Sequence, residues 1–119
     1  MAAPNIVNVT TIYGRVAFQA ITTTPTAIVS NGGGSGKLVK VNNLIVSNVD
    51  GTNAANLTVD VYRGSTATHI IKGVSVAAGS SFTPVDKGLV LYLEEGDSLR
   101  LTASANSDLE AVCSYEEIS

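Results

Sequence analysis

Between residues 89 and 119, three runs of alternating apolar side chains are separated by Glu94-Glu95-Gly96-Asp97 and by Ala105-Asn106-Ser107. Successive side chains of a strand point to opposite faces, so alternation over short runs bounded by turn residues marks half-buried antiparallel strands. Elsewhere Val, Ile and Thr recur, the residues that pleated surfaces favour, and no window shows a helical period. The pattern predicts strands over residues 6–13, 15–22, 26–30, 38–49, 56–63, 68–76, 81–85, 89–93, 98–103 and 109–116.

Alternation also assigns faces. Leu57, Val59 and Val61 are expected inward, with Thr58, Asp60 and Tyr62 outward. Leu99 and Leu101 are expected inward, with Ser98, Arg100 and Thr102 outward. The run 38–49 contains Asn42-Asn43, which breaks the alternation and calls for a bulge or a passage from one sheet to another. Asn31-Gly32-Gly33-Gly34-Ser35-Gly36 reads as an exposed, mobile loop. Asp50-Gly51-Thr52-Asn53 reads as a turn with Gly51 at positive φ, and Glu94-Glu95-Gly96-Asp97 as a tight hairpin with Gly96 in that role.

Short strands at this spacing point to a sandwich or barrel. The expected fold is all-β: one antiparallel, jelly-roll-like β-sandwich spanning residues 1–119 as a single domain. Its free edges are expected at the first and last strands, 6–13 and 109–116, with Glu116 and Glu117 limiting growth at one of them.

Composition narrows the partners. A chain of 119 residues holds one core of ordinary size, and 45% apolar residues support it. Charged residues are only 14%, against about 25% in typical soluble domains. The polar surface is therefore mainly Ser, Thr and Asn, which cost less to bury in an assembly than ions do. The net charge is −3, and the seven basic residues (Arg15, Lys37, Lys40, Arg63, Lys72, Lys87, Arg100) are scattered, which argues against nucleic acid. No apolar run approaches the roughly 18 residues of a membrane span, so no membrane partner is expected. The Met-Ala-Ala-Pro-Asn start lacks the basic and apolar regions of a secretory signal. The single cysteine, Cys113, forms no internal disulfide, which fits folding in a reducing cytoplasm.

Each candidate for chemistry has a plainer reading. Gly36-Lys37 ends a glycine loop, but a phosphate-binding loop needs glycine where Asn31 stands and Ser or Thr where Leu38 stands. His69 is the sole histidine, which rules out a His-based zinc cluster within one chain, and its strand neighbours make it structural or exposed. Cys113, on a strand, packs as a small apolar group; a nucleophile needs an activating base and access. Glu94, Glu95 and Asp97 cluster on a turn without calcium-loop spacing or a paired carboxylate across a cleft. With no tryptophan and four tyrosines (Tyr13, Tyr62, Tyr92, Tyr115), the chain offers little for stacking on sugars. No catalytic, cofactor-binding or metal-ligating residue is assigned.

Two segments, Asn48-Val49-Asp50-Gly51-Thr52-Asn53-Ala54-Ala55 and Tyr92-Leu93-Glu94-Glu95-Gly96-Asp97-Ser98-Leu99-Arg100, resemble a family of small virion proteins. So do the opening Met1-Ala2-Ala3-Pro4-Asn5-Ile6-Val7-Asn8-Val9 and the ending Ser114-Tyr115-Glu116-Glu117-Ile118-Ser119. The family belongs to tailed phages of marine cyanobacteria, including the T4-like kind. The resemblance implies a structural protein of the particle, made in the cytoplasm of a bacterial host, and brings no catalytic residue or cofactor with it. The expected function is a non-enzymatic structural or decoration subunit. It assembles with itself, a trimer being favoured, and with other virion proteins. The alternative is a module of a tail or fibre that binds a carbohydrate or host receptor.

Overall fold

The computed structural model describes residues 4–86 and 88–119; Met1, Ala2, Ala3 and Lys87, which enter the sequence reading above, lie outside them. Nine strands follow in order: β1 (Ile12–Ala20), β2 (Thr26–Ser30), β3 (Leu38–Asn48), β4 (Ala55–Arg63), β5 (Thr66–Val76), β6 (Ser81–Val85), β7 (Leu91–Leu93), β8 (Asp97–Ala103) and β9 (Leu109–Ile118). They form two antiparallel sheets. One runs β1-β9-β3-β6 with β7 also on β3; the other runs β2-β8-β4-β5. β7 pairs with Val39–Val41 of β3, and β6 with the stretch from Leu44 to Ser47, so the two act as halves of one interrupted strand. Counted that way, the chain crosses between the sheets at every connection except the β4–β5 hairpin. This is an antiparallel β-sandwich, one of the two architectures to which the strand spacing points.

The inward residues are those the alternation picks out. Leu57, Val59, Leu99 and Leu101 of one sheet meet Val39, Val41, Leu44, Val46, Leu93, Leu109 and Cys113 of the other, all buried. Val61 packs against this core while remaining partly accessible. In β3 the pairing steps from Val41↔Tyr115 to Asn43↔Ser114, leaving Asn42 without an opposite number. This is the bulge expected at Asn42-Asn43; it shifts the buried set from Val39 and Val41 to Leu44 and Val46.

Three expectations are corrected. Strands 6–13 and 15–22 are replaced by one strand that starts at Ile12 and runs straight through Gly14, which lies opposite Glu116. The ladder begins where its partner ends: Ile12 faces Ile118, and Ser119 O accepts from the Thr10 and Thr11 N–H groups. Upstream, the chain turns, with the Asn8 N–H donating to Asn5 O at 2.9 Å. Second, the last strand is no edge, because β9 is paired with β1 on one side and β3 on the other. Glu116 and Glu117 therefore guard nothing there; they bind Lys40, and Arg15 with Lys37. Third, the turn at Gly96 is no hairpin, since it carries the chain from β7 in one sheet to β8 in the other; Gly96 has positive φ (88°) there, but Gly51 does not. The turn at Asp50 is held instead by side chains: Asn48 Oδ1 accepts the Asp50 N–H, and Asp50 Oδ1 accepts the Thr52 N–H, each at 2.9 Å.

Candidate functional site

The acidic turn proves to be a fastening. Asp97, at the start of β8, is buried and accepts two hydrogen bonds from Arg63 at the end of β4, Nε to Oδ1 at 2.6 Å and Nη2 to Oδ2 at 2.8 Å. Glu94 accepts a third from the same guanidinium at 2.9 Å. The hydrogen bonds from Arg63 hold the Asp97 carboxyl below the usual aspartate range. Glu95 turns the other way and accepts the Gly36 N–H at 3.0 Å.

That contact joins the acidic turn to the glycine loop. At the root of the loop, buried Asn31 donates Nδ2 to Lys37 O at 2.8 Å and Leu93 O at 3.0 Å, and its Oδ1 accepts the Ser35 hydroxyl at 2.6 Å. Its backbone N–H donates to Asp97 O and its carbonyl accepts the Gly96 N–H, each at 2.8 Å. Two motifs that read separately along the chain are thus one unit. At the opposite end of β3, buried Asn48 donates to Asn53 O and Val76 O, each at 2.9 Å. Sequence reasoning singled out neither Asn31's side chain nor Asn48's. Asparagine at a strand-to-turn junction was the available signal, since its amide can replace backbone partners there.

The other chemistry-bearing groups stay apart. Cys113 is buried in β9, where desolvation pushes its thiol up to about 12. His69 is exposed on β5 of the other sheet, so the two do not pair. Asp60 was expected outward; it is on the outer face but buried beneath Arg100, which bonds it at 2.9 and 3.2 Å and stacks 3.9 Å over Tyr62. Asp50 and Asp108 form an acid pair that the sequence did not flag. Desolvation and then Asp50 raise Asp108, while the Thr52 N–H lowers Asp50. No three His, Cys, Asp or Glu side chains converge on a metal position among the described residues.

The two outer faces differ sharply. Outside β4 and β8 the cross-strand pairs are polar: Thr58↔Thr102, Asp60↔Arg100 and Tyr62↔Ser98. Outside β1, β9 and β3 an apolar row crosses all three strands, Phe18↔Val112↔Ile45. Phe18 is 76% exposed, Val16 beside it 52%, and Val112 and Ile45 38% each. A shallow depression lies at the β1 end of this row, lined by Phe18, Gln19, Ala20, Glu110, Ala111 and Val112. An apolar row at a sheet edge offers contact area without chemistry.

No family model matches the chain, and no curated protein matches it. Among solved structures it is similar to a subunit of the disulfide-linked pili that form Bacillus endospore appendages. The identity is 15% and the TM-score 0.55, with 100% of this chain and 96% of that chain covered. It also aligns with a pentameric capsid protein from metagenomic phage sequences at 18% identity and a TM-score of 0.41. That alignment covers 98% of this chain and 64% of the capsid chain, and at such a score it carries no argument. The first likeness is one of fold.

Proposed function

We propose that this chain is a non-enzymatic structural subunit of an assembled particle, a phage virion in the first instance, that joins copies of itself through β-sandwich contacts. The observation that carries the reading is the Phe18–Val112–Ile45 row, an exposed apolar surface that reaches the free edge of its sheet. The acidic turn, glycine loop and cysteine are each occupied in holding the fold, which favours a scaffold over a catalyst. Low charge and a Ser, Thr and Asn surface suit burial among neighbours, including other virion proteins. Scattered basic residues speak against a nucleic-acid partner. Synthesis in a bacterial cytoplasm and incorporation into the virion complete the proposal. A trimer, favoured by the sequence reading, requires β1 to meet a different edge on the next copy.

The competing reading, a carbohydrate- or receptor-binding module of a tail or fibre, draws on Tyr13 and Tyr92, 56% and 45% exposed. Neither lines the depression at Phe18. Mass spectrometry of purified particles from the source phage decides the leading reading. The chain is expected in stoichiometric amounts, and its absence from intact particles would overturn the claim.

A further inference from the structure

We propose that two copies of the chain join edge to edge through β1, antiparallel about a two-fold axis at Val16, so that their β1-β9-β3-β6 sheets become one. The inference rests on the self-assembling part of the reading above and names the contact that begins it.

Strand edges offer unpaired N–H and C=O groups, and folded proteins block them with short strands, prolines, bulges or charges. Three edges of this sandwich carry such devices among the described residues. β2 has five residues, follows Pro25 and changes register between Ala27 and Val29. The edge made by β6 and β7 is broken into pieces of five and three residues, with Pro84 inside β6. β5 changes register twice against β4 and carries Lys72 beside Gly73, whose φ is 69°. β1 has none of these. Its nine residues pair with β9 without a shift, and its one charged side chain, Arg15, is bound to Glu117 at 2.8 Å. β1 therefore lacks an open edge on the same molecule to join, and the matching open edge is β1 of a second copy.

The side chains fit that partner. Outward from β1 point Ile12, Gly14, Val16, Phe18 and Ala20, none of them charged. A two-fold axis normal to the sheet at Val16 sets Val16 against the partner's Val16, Phe18 against the partner's Gly14, and Ile12 against the partner's Ala20. Large meets small at each outer position, and an aromatic ring covers a glycine, a pairing used to protect glycine in sheets. An axis at Arg15 would instead oppose two guanidiniums, a like-charge pair that sheets disfavour. An axis at Ala17 would leave Ile12 and Tyr13 without opposite numbers on the partner's β1. With nine residues at about 3.3 Å each the contact is about 30 Å long. A single strand edge of that length falls below the roughly 1,200 Å² of total area at which standard specific interfaces begin. The dimer is therefore concentration-dependent, and symmetric repetition in a particle strengthens it.

Directly opposed Cα atoms lie about 4.5–5.5 Å apart, within disulfide reach. Under mild oxidation, Val16→Cys is expected to give a covalent dimer on a non-reducing gel. Phe18→Cys alone is expected not to, whereas an equimolar mixture of Phe18→Cys and Gly14→Cys is. Light scattering of the unmodified chain is expected to show a monomer–dimer shift with concentration. Val16→Lys, at an exposed position, is expected to abolish that shift while keeping its melting temperature, and mixing it with Val16→Glu to restore the dimer. A chain that stays monomeric at millimolar concentration overturns the proposal. So does an oligomer that survives Val16→Lys while Val16→Cys fails to cross-link. Neither result touches the particle reading, which stands or falls on the composition of purified particles.

Discussion

Arg63 and Asp97 face each other across the β4–β8 ladder, and the Asp97 carboxylate also accepts the Glu94 N–H at 2.9 Å. The carboxylate is buried while the guanidinium is largely in water. One buried charge therefore closes the acidic turn and ties it to the neighbouring strand.

Acid should release that tie. The folded-state pKa of Asp97 is depressed below its unfolded value, so the native chain binds fewer protons there than the unfolded chain does. The stabilisation is fully present above about pH 4 and is lost as pH falls through the folded value. Asp97→Asn is expected to be less stable by about 2 kcal/mol at neutral pH, in the range of charge-assisted hydrogen bonds. Its deficit relative to the unmodified chain should shrink below about pH 4. Urea denaturation over a pH series checks this; a constant deficit assigns the effect to shape rather than charge.

Asn31 and Asn48 should matter more than the loops they anchor. Removing the Asn31 amide leaves the Lys37 and Leu93 carbonyls without their donor. Asn31→Ala is expected to cost about 2 kcal/mol, the scale of a buried group left unpaired. Gly33→Ala, where an added methyl meets no atom within 4 Å, should stay within about 0.5 kcal/mol. Equilibrium denaturation of the two variants side by side measures the contrast, and equal effects would remove the anchoring role.

How far the chain could be read in advance depended on whether an effect was local. Thr26–Ser30 and Ser81–Val85 were predicted to the residue, because alternation and turn residues mark strand ends directly. The Asn42-Asn43 break was visible because a bulge interrupts a short-range pattern. Strand order was not visible. That β9 inserts between β1 and β3 is a property of long crossovers, and no local feature of residues 109–118 records it. Gly14 falls between the expected strands 6–13 and 15–22, and only its pairing opposite Glu116 makes it a strand residue. Asp60 was placed on the correct face, but its burial depends on Arg100 in another strand.

The bulge makes a prediction that composition alone would get wrong. Because Asn42 is the extra residue, deleting it leaves Val39, Val41, Leu44 and Val46 in one unbroken alternation. The deletion is therefore expected to fold, with a modest loss of stability from the changed twist and the shortened approach to β6 and β7. Deleting Ile45 instead turns Val46 and Asn48 outward and should prevent folding. Circular dichroism and two-dimensional NMR of the two variants distinguish these outcomes; an unfolded Asn42 deletion would mean that the bulge itself is required.

Cys113 gives a test of the core from its alkaline side. Its Cα partners are Ala17 on β1 and Leu44 on β3, and the surrounding apolar packing raises its thiol pKa to about 12. The unfolded thiol ionises near pH 8.5, so between these values the native state holds a proton that the unfolded chain gives up. Stability contributed by this site is thus intact below about pH 8.5 and falls as pH rises toward the folded value. Cys113→Ala is expected to show a shallower loss of stability than the unmodified chain between about pH 8.5 and 10.5. At pH 8 iodoacetamide should label the native thiol only through rare opening, and label it at once in urea. Native labelling at the rate of a free thiol would show that the β1-β9-β3 core is open in solution.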